Sequence, residues 1–305
     1  MSVQPEQQSR PAWPGEFITV DGREAYVRHT PPASADAEPA LYVHGLGGSS
    51  TNWTDLAALL ADRLDGVAVD LPGFGRSEPS AGDGYTPRQL AGYLTQVIEQ
   101  VHGGPVHLLG NSLGGTVALE LAARRPDLVR TLTLVSPAMP DLRPRVGPDM
   151  VLPLLLVPGV GRVAERRMAA MTPEERAQGT IDVCFADPSR VPPDRLAEAI
   201  EEVRRRNELP YAMEAFLHTL RGLVTAYLAP PSTSLWARAA LVKVPSLVVW
   251  GREDKLVNVR LAQRTAHALT DSRLLVLDGI GHTAQLEAPA ETAEAIRGLL
   301  DDARR

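Results

Sequence analysis

Short apolar or β-branched runs, ALYVH (40–44), GVAVD (66–70), VHLLG (106–110) and TLTLV (131–135), punctuate the first part of the chain. Stretches with apolar residues at helical spacing lie between them. Strands that alternate with helices build βαβ units, so the pattern predicts an α/β fold with a mostly parallel, doubly wound sheet. Two helices carry explicit boundary signals. Thr86-Pro87-x-Gln89 has the form of a capping box with proline at the first helical position, and it opens a helix running to about Val101. A second helix spans Gly114 to Arg125 and stops before Pro126.

After Ser136-Pro137 the alternation ends. Residues 139–237 hold no strand pattern but several helical ones: a Thr172-Pro173-x-Glu175 capping box and the stretches 193–207 and 211–228. Strand-like runs return with PSLVVWG (245–251) and RLLVLDG (273–279), each followed by a helix. The expected organisation is a flexible arm over 1–15, a core over 16–138 and 238–305, and an inserted all-helical cap over 139–237. HTPPASADAEPA (29–40) reads as a Pro/Ala-rich connection within the core. In an open parallel sheet, ligands bind outside the carboxyl ends of the strands.

Composition narrows the setting. A chain of 305 residues with 44% hydrophobic content can bury a substantial core. The net charge of -6 comes from 31 basic and 37 acidic residues without a long block of either sign, which excludes a nucleic-acid surface of the usual kind. Cys184 is the one cysteine, so neither an intrachain disulfide nor a cysteine zinc site is available. The opening MSVQPEQQSRPAWPGE lacks a basic segment followed by an apolar one, and a cytoplasmic location is the expectation. VLPLLLVPGV (151–160) is too short to span a bilayer and carries two prolines. It is expected to fold over the strand ends and line a pocket with Val151, Leu154, Leu155 and Val157. The histidines are scattered without ligand spacing, and the G-F-G of residues 73–75 lacks the third glycine of a dinucleotide fingerprint. No metal or other cofactor is expected. The expected partner is a small-molecule substrate.

The candidate chemistry collects at strand ends. Gly110-Asn111-Ser112-Leu113-Gly114 stands where VHLLG turns into a helix. A serine there can be a plain helix cap, but that leaves Gly110, Gly114 and Gly115 without a reason. The G-x-S-x-G spacing instead describes a nucleophile elbow, whose flanking positions must lack a Cβ for strand and helix to approach. HGLGG (44–48), DLPGFGRS (70–77), GREDKLV (251–257) and DGIGH (278–282) follow other strands. Ser112, Asp254 and His282 thus fall on three separate strand ends.

With these residues the chain resembles an α/β-hydrolase carrying an inserted helical cap, over nearly everything from residue 16 onward. The resemblance implies a catalytic order of serine, acid and histidine, matched here by Ser112, Asp254 and His282. His282 would take the serine proton, and Asp254 would hold the imidazole in the required tautomer. The N–H groups of Leu113 and Leu46 would stabilise the oxyanion. Glu253 and Asp141 are alternative acids, because some family members place the acid after the strand that precedes the cap. His44 resembles the loop-holding histidine of the family rather than its base. DLPGFGRS resembles a family loop that shapes the site without reacting.

Serine at the elbow speaks against epoxide and halide chemistry, for which the relatives carry aspartate. The expected reaction is hydrolysis of a small to medium, largely apolar carboxylic ester or lactone through an acyl-enzyme. Residues 139–237 hold 12 Arg and no Lys against 13 acidic residues, so no strong field selects a charged substrate. GNSLGG also resembles the elbow of dienone carbon–carbon hydrolases, although those enzymes usually have tryptophan after the histidine and Thr283 stands here. A third reading is a small-molecule receptor on the same scaffold.

Overall fold

The computed structural model describes residues 12–82, 84–141, 154–157 and 159–304. The strands are β1 (Gly15–Val20), β2 (Arg23–Thr30), β3 (Glu38–Val43), β4 (Leu64–Val69), β5 (Val106–Asn111), β6 (Val129–Val135), β7 (Ser246–Gly251) and β8 (Ser272–Leu277). They form one eight-stranded sheet in the order β1-β2-β4-β3-β5-β6-β7-β8. Strands β1 and β2 pair antiparallel, β2 joins β4 antiparallel, and every later pairing is parallel.

The β1–β2 hairpin has no counterpart in the expected elements. Its signal is Asp21-Gly22, where both residues have positive φ (51° and 74°), as the tight hairpin turn between twisted strands requires. Strand β2 runs on to Thr30, so the Pro/Ala-rich connection is shorter than 29–40. Of the expected arm, residues 1–11 lie outside the described residues. Trp13 is anchored by its indole N–H on the Thr54 carbonyl at 3.0 Å, and Gly15 already belongs to β1.

Period-2 alternation in the strands feeds two cores. Leu41, Val43, Leu108, Leu132 and Val248 face one side, packed with the apolar stripes of α2 (Pro87–Val101) and α3 (Leu113–Arg124). Tyr42, Leu109, Val135 and Val249 face the other, with α1 (Thr54–Leu60) and the C-terminal helix. Burial on both faces explains why the central strands read as continuous apolar runs. Thr86 caps α2 as expected, its Oγ1 accepting the Gln89 N–H at 3.3 Å.

Among the described residues between β6 and β7, the regular elements are all helical: α4 (Val160–Ala169), α5 (Pro173–Cys184), α6 (Pro193–Glu208), α7 (Ala212–Tyr227) and α8 (Leu235–Ala239), with short 3-10 turns. Beyond β7 come α9 (Arg260–Ala268), α10 (Ala284–Glu287) and α11 (Pro289–Ala303). Helix α8 contributes Leu235 and Ala239 to the core and packs against α3, so the expected boundary at 237/238 falls inside this helix. Helix α6 sets three arginines on the core: Arg195 on Asp55 (2.8 and 2.9 Å), Arg205 on the Gly75 carbonyl and Arg206 on the Gly47 carbonyl (2.6 Å). No helix among the described residues is long and apolar enough to cross a membrane.

Candidate active site

Ser112 occupies the joint between β5 and α3 at φ 54° and ψ -118°, a region that costs a non-glycine residue about 1–3 kcal/mol. The surroundings hold it there. Its N–H donates to the Val135 carbonyl (3.0 Å), and its own carbonyl accepts the N–H groups of Thr116 (3.1 Å) and Ala138 (3.0 Å). The turn is so tight that a Cβ on Gly110 would lie 2.4 Å from the Gly114 carbonyl oxygen, and one on Gly114 would lie 2.3 Å from that of Val43. Both contacts are against backbone, which cannot rotate away. Gly114→Ala should therefore destabilise the fold by about 3 kcal/mol or more, read as a melting midpoint lowered by about 6 °C or more. A midpoint within 1 °C of wild type would mean that the elbow relaxes freely.

Beside the elbow runs the loop after β3. A Cβ on Gly45 would lie 3.1 Å from the Ser112 Cβ, so this loop stands against the serine. His44 is fully buried and its two nitrogens have fixed partners: Nε2 accepts the Leu71 N–H (3.0 Å), which leaves Nδ1–H to donate to the Gly45 carbonyl (2.7 Å). Burial holds its pKa below the usual imidazole value, consistent with a neutral ring used as a brace. Leu46 is half-buried in the same loop. Leu113 opens α3, and first-turn amides have no partner within their own helix.

From the far strands come the other two groups. His282 Nδ1 faces Asp254 Oδ2 at 2.8 Å, with side chains 4% and 0% exposed. Asp254 Oδ1 accepts the N–H groups of Leu256 and Val257, each at 2.8 Å, so both carboxylate oxygens are engaged. The alternative acids are committed elsewhere: Glu253 accepts the Ile280 N–H (3.1 Å), and Asp141 pairs with Arg260. Asn111, not singled out in the sequence, donates from Nδ2 to the carbonyls of Val135 (3.1 Å) and His282 (3.2 Å). It ties the elbow directly to the histidine loop. Its signal was its place in G-N-S-L-G, but its partner lies 171 positions away.

These placements put a strained, half-buried serine, a histidine oriented by a buried carboxylate, and a helix N-terminus at one edge of the sheet. Such a set can generate an alkoxide, hold the resulting imidazolium and stabilise an oxyanion. Cys184, the nearby thiol, is pushed up to about 12 by burial and stays protonated.

The sequence profile of the alpha/beta hydrolase fold matches residues 39–289. The chain belongs to the alpha/beta hydrolase fold family. It is 25% identical over 276 residues to a 2-hydroxy-6-oxononadienedioate/2-hydroxy-6-oxononatrienedioate hydrolase of Cupriavidus pinatubonensis, covering 89% of this chain and 90% of the relative. The monoacylglycerol lipase ABHD6 of Homo sapiens is 27% identical over 263 residues, covering 85% and 74%. The crystal structure of a putative lipase from Acinetobacter baumannii superposes with a TM-score of 0.78 at 21% identity, covering 96% and 92%. The shared frame of this hydrolase family comprises the parallel sheet and its flanking helices.

The expected pocket residues are placed less tightly. Val151 lies outside the described residues, Leu155 is half-buried, and Leu154 and Val157 are 52% and 46% exposed. Trp53 and Trp250 are fully buried, and Trp236 packs partly buried with Arg264 over its ring at 3.8 Å.

Proposed function

We propose that this hydrolase cleaves a small to medium, largely apolar carboxylic ester or lactone through an acyl-enzyme. The observation that carries the reading is the elbow: Ser112 is kept at φ 54° by an environment that a capping serine does not need. In the proposed cycle Ser112 Oγ attacks the acyl carbon while His282 Nε2 takes the proton. Asp254 holds Nδ1–H and stabilises the imidazolium. The N–H groups of Leu46 and Leu113 receive the oxyanion. The alcohol leaves with the proton from His282, and water attacks the acyl-enzyme by the same route to regenerate Ser112. Leu154, Leu155 and Val157 form the proposed acyl wall, and the exposed surface of Leu154 and Val157 is apolar area that a substrate chain would cover.

Carbon–carbon hydrolysis of a dienone is the second reading, favoured by the resemblance to the oxononadienedioate hydrolase. Thr283 after His282 and the lipase among the relatives favour the ester. A turnover panel of p-nitrophenyl esters of rising acyl length, lactones and dienone ketones decides. On the ester reading kcat/KM climbs by up to about fourfold per added CH₂ until the pocket is full. Turnover of the dienones alone would reverse the order, and tight binding without any turnover would favour a receptor.

A further inference from the structure

The helical insertion reaches the His282 loop through one turn. The His282 main-chain N–H donates to the Cys184 carbonyl at 2.6 Å, at the C-terminal end of α5. Glu287, 5% exposed in α10, collects three backbone N–H groups on its carboxylate. Gly281, the residue before His282, donates to Oε2 at 2.7 Å. Ala186 donates at 3.1 Å to both oxygens, and Asp187 donates to Oε1 at 3.0 Å. One buried carboxylate therefore joins the histidine loop to the turn that leaves α5. From the other side Lys255, next to Asp254, donates from Nζ to the carbonyls of Asp182 (2.8 Å) and Phe185 (3.0 Å).

We propose that Glu287 is a positioning residue: it ties the Cys184–Asp187 turn to the His282 loop, so that the imidazole meets Ser112 only while this turn is seated. The inference rests on the Ser112–His282–Asp254 reading given above. Three convergent N–H donors call for a group that only accepts, and a carboxylate is the one side-chain group that offers two such oxygens. An isosteric amide keeps one acceptor and turns an NH₂ against an N–H, so one partner must move off. The partners nearest to hand are Gly281 and the turn itself, and either movement carries His282 with it. A role in stability alone would leave the folded enzyme with wild-type reactivity.

The test uses the full chain and a fluorophosphonate, with Ser112→Ala as the blank that establishes where the probe reacts. Glu287→Gln, assayed well below its own melting midpoint, should be labelled about 10- to 100-fold more slowly, in line with misplacement of a catalytic group by a fraction of an ångström. Its kcat should fall by the same factor, with KM on a p-nitrophenyl ester within about threefold of wild type. Lys255→Met changes an exposed side chain, is expected to fold normally, and loosens the same turn; it should slow labelling by about three- to tenfold. If Glu287→Gln does not fold, Lys255→Met alone decides. Wild-type labelling rates per folded molecule, or a loss carried by KM alone, would overturn the proposal. Labelling that is absent in wild type or persists in Ser112→Ala would instead strike the underlying reading.

Discussion

Ser112→Ala should lower kcat for a p-nitrophenyl ester by about 10⁶-fold and abolish labelling by a fluorophosphonate. The loss is large because the serine is the proposed site of the covalent intermediate, and no neighbouring group replaces it. Cys184 is held as a thiol by burial, and His44 has both ring nitrogens committed to backbone groups. The same variant should keep its melting midpoint within a few degrees. Alanine retains the Cβ, so the strain at φ 54° persists in the folded state, and no hydrogen bond of the Ser112 main chain is touched. Ser112→Gly separates the two effects: it is equally inactive, but relief of the left-handed strain offsets part of its unfolded-state entropy. Intact-mass analysis after labelling provides the measurement. Covalent modification of Ser112→Ala at the wild-type rate would move the nucleophile elsewhere.

Much of the sheet was legible because its central strands are buried on both faces and must be continuously apolar. The runs at 106–110 and 131–135 lie within β5 and β6 for that reason. Helices α2 and α5 were legible from local chemistry, the Thr86 and Thr172 capping boxes with proline in the first turn. The β1–β2 hairpin escaped because four of the six residues of β1 are exposed and only Val20 is buried, although Asp21-Gly22 marked the turn. The elbow and the loops after β3, β7 and β8 were legible as glycine-rich strand ends. What joins those loops was not. Asn111 to His282, Glu287 to Ala186 and Lys255 to Phe185 are contacts made across 171, 101 and 70 positions, and no local pattern encodes such a pairing. The acid illustrates the limit: the resemblance points to Asp254 with Asp141 and Glu253 as alternatives, and the folded chain brings Asp254 against Nδ1 of His282.

That choice has a sharp consequence. Asp254→Asn should reduce kcat by about 10³- to 10⁴-fold, whereas Asp141→Asn should stay within about tenfold of wild type. The direction follows from the hydrogen bonds around Asp254. Oδ1 accepts from two backbone N–H groups, Leu256 and Val257, so an amide at 254 must keep its oxygen on that side. Its NH₂ is then forced toward His282 Nδ1, where the carboxylate oxygen now sits at 2.8 Å. A donor facing Nδ1 makes that nitrogen the acceptor and moves the ring proton to Nε2. The nitrogen that takes the Ser112 proton in the proposed cycle is then already protonated, and the imidazolium of that cycle loses its buried counter-charge. Binding is not involved, so KM should change little and the deficit should lie in kcat. Asp141, paired with Arg260 near the start of α9, is expected to affect packing more than chemistry. Steady-state kinetics on both variants, with midpoints measured alongside, test the assignment. A severe kcat loss at 141 with a mild one at 254 would transfer the orienting role to the acid after β6.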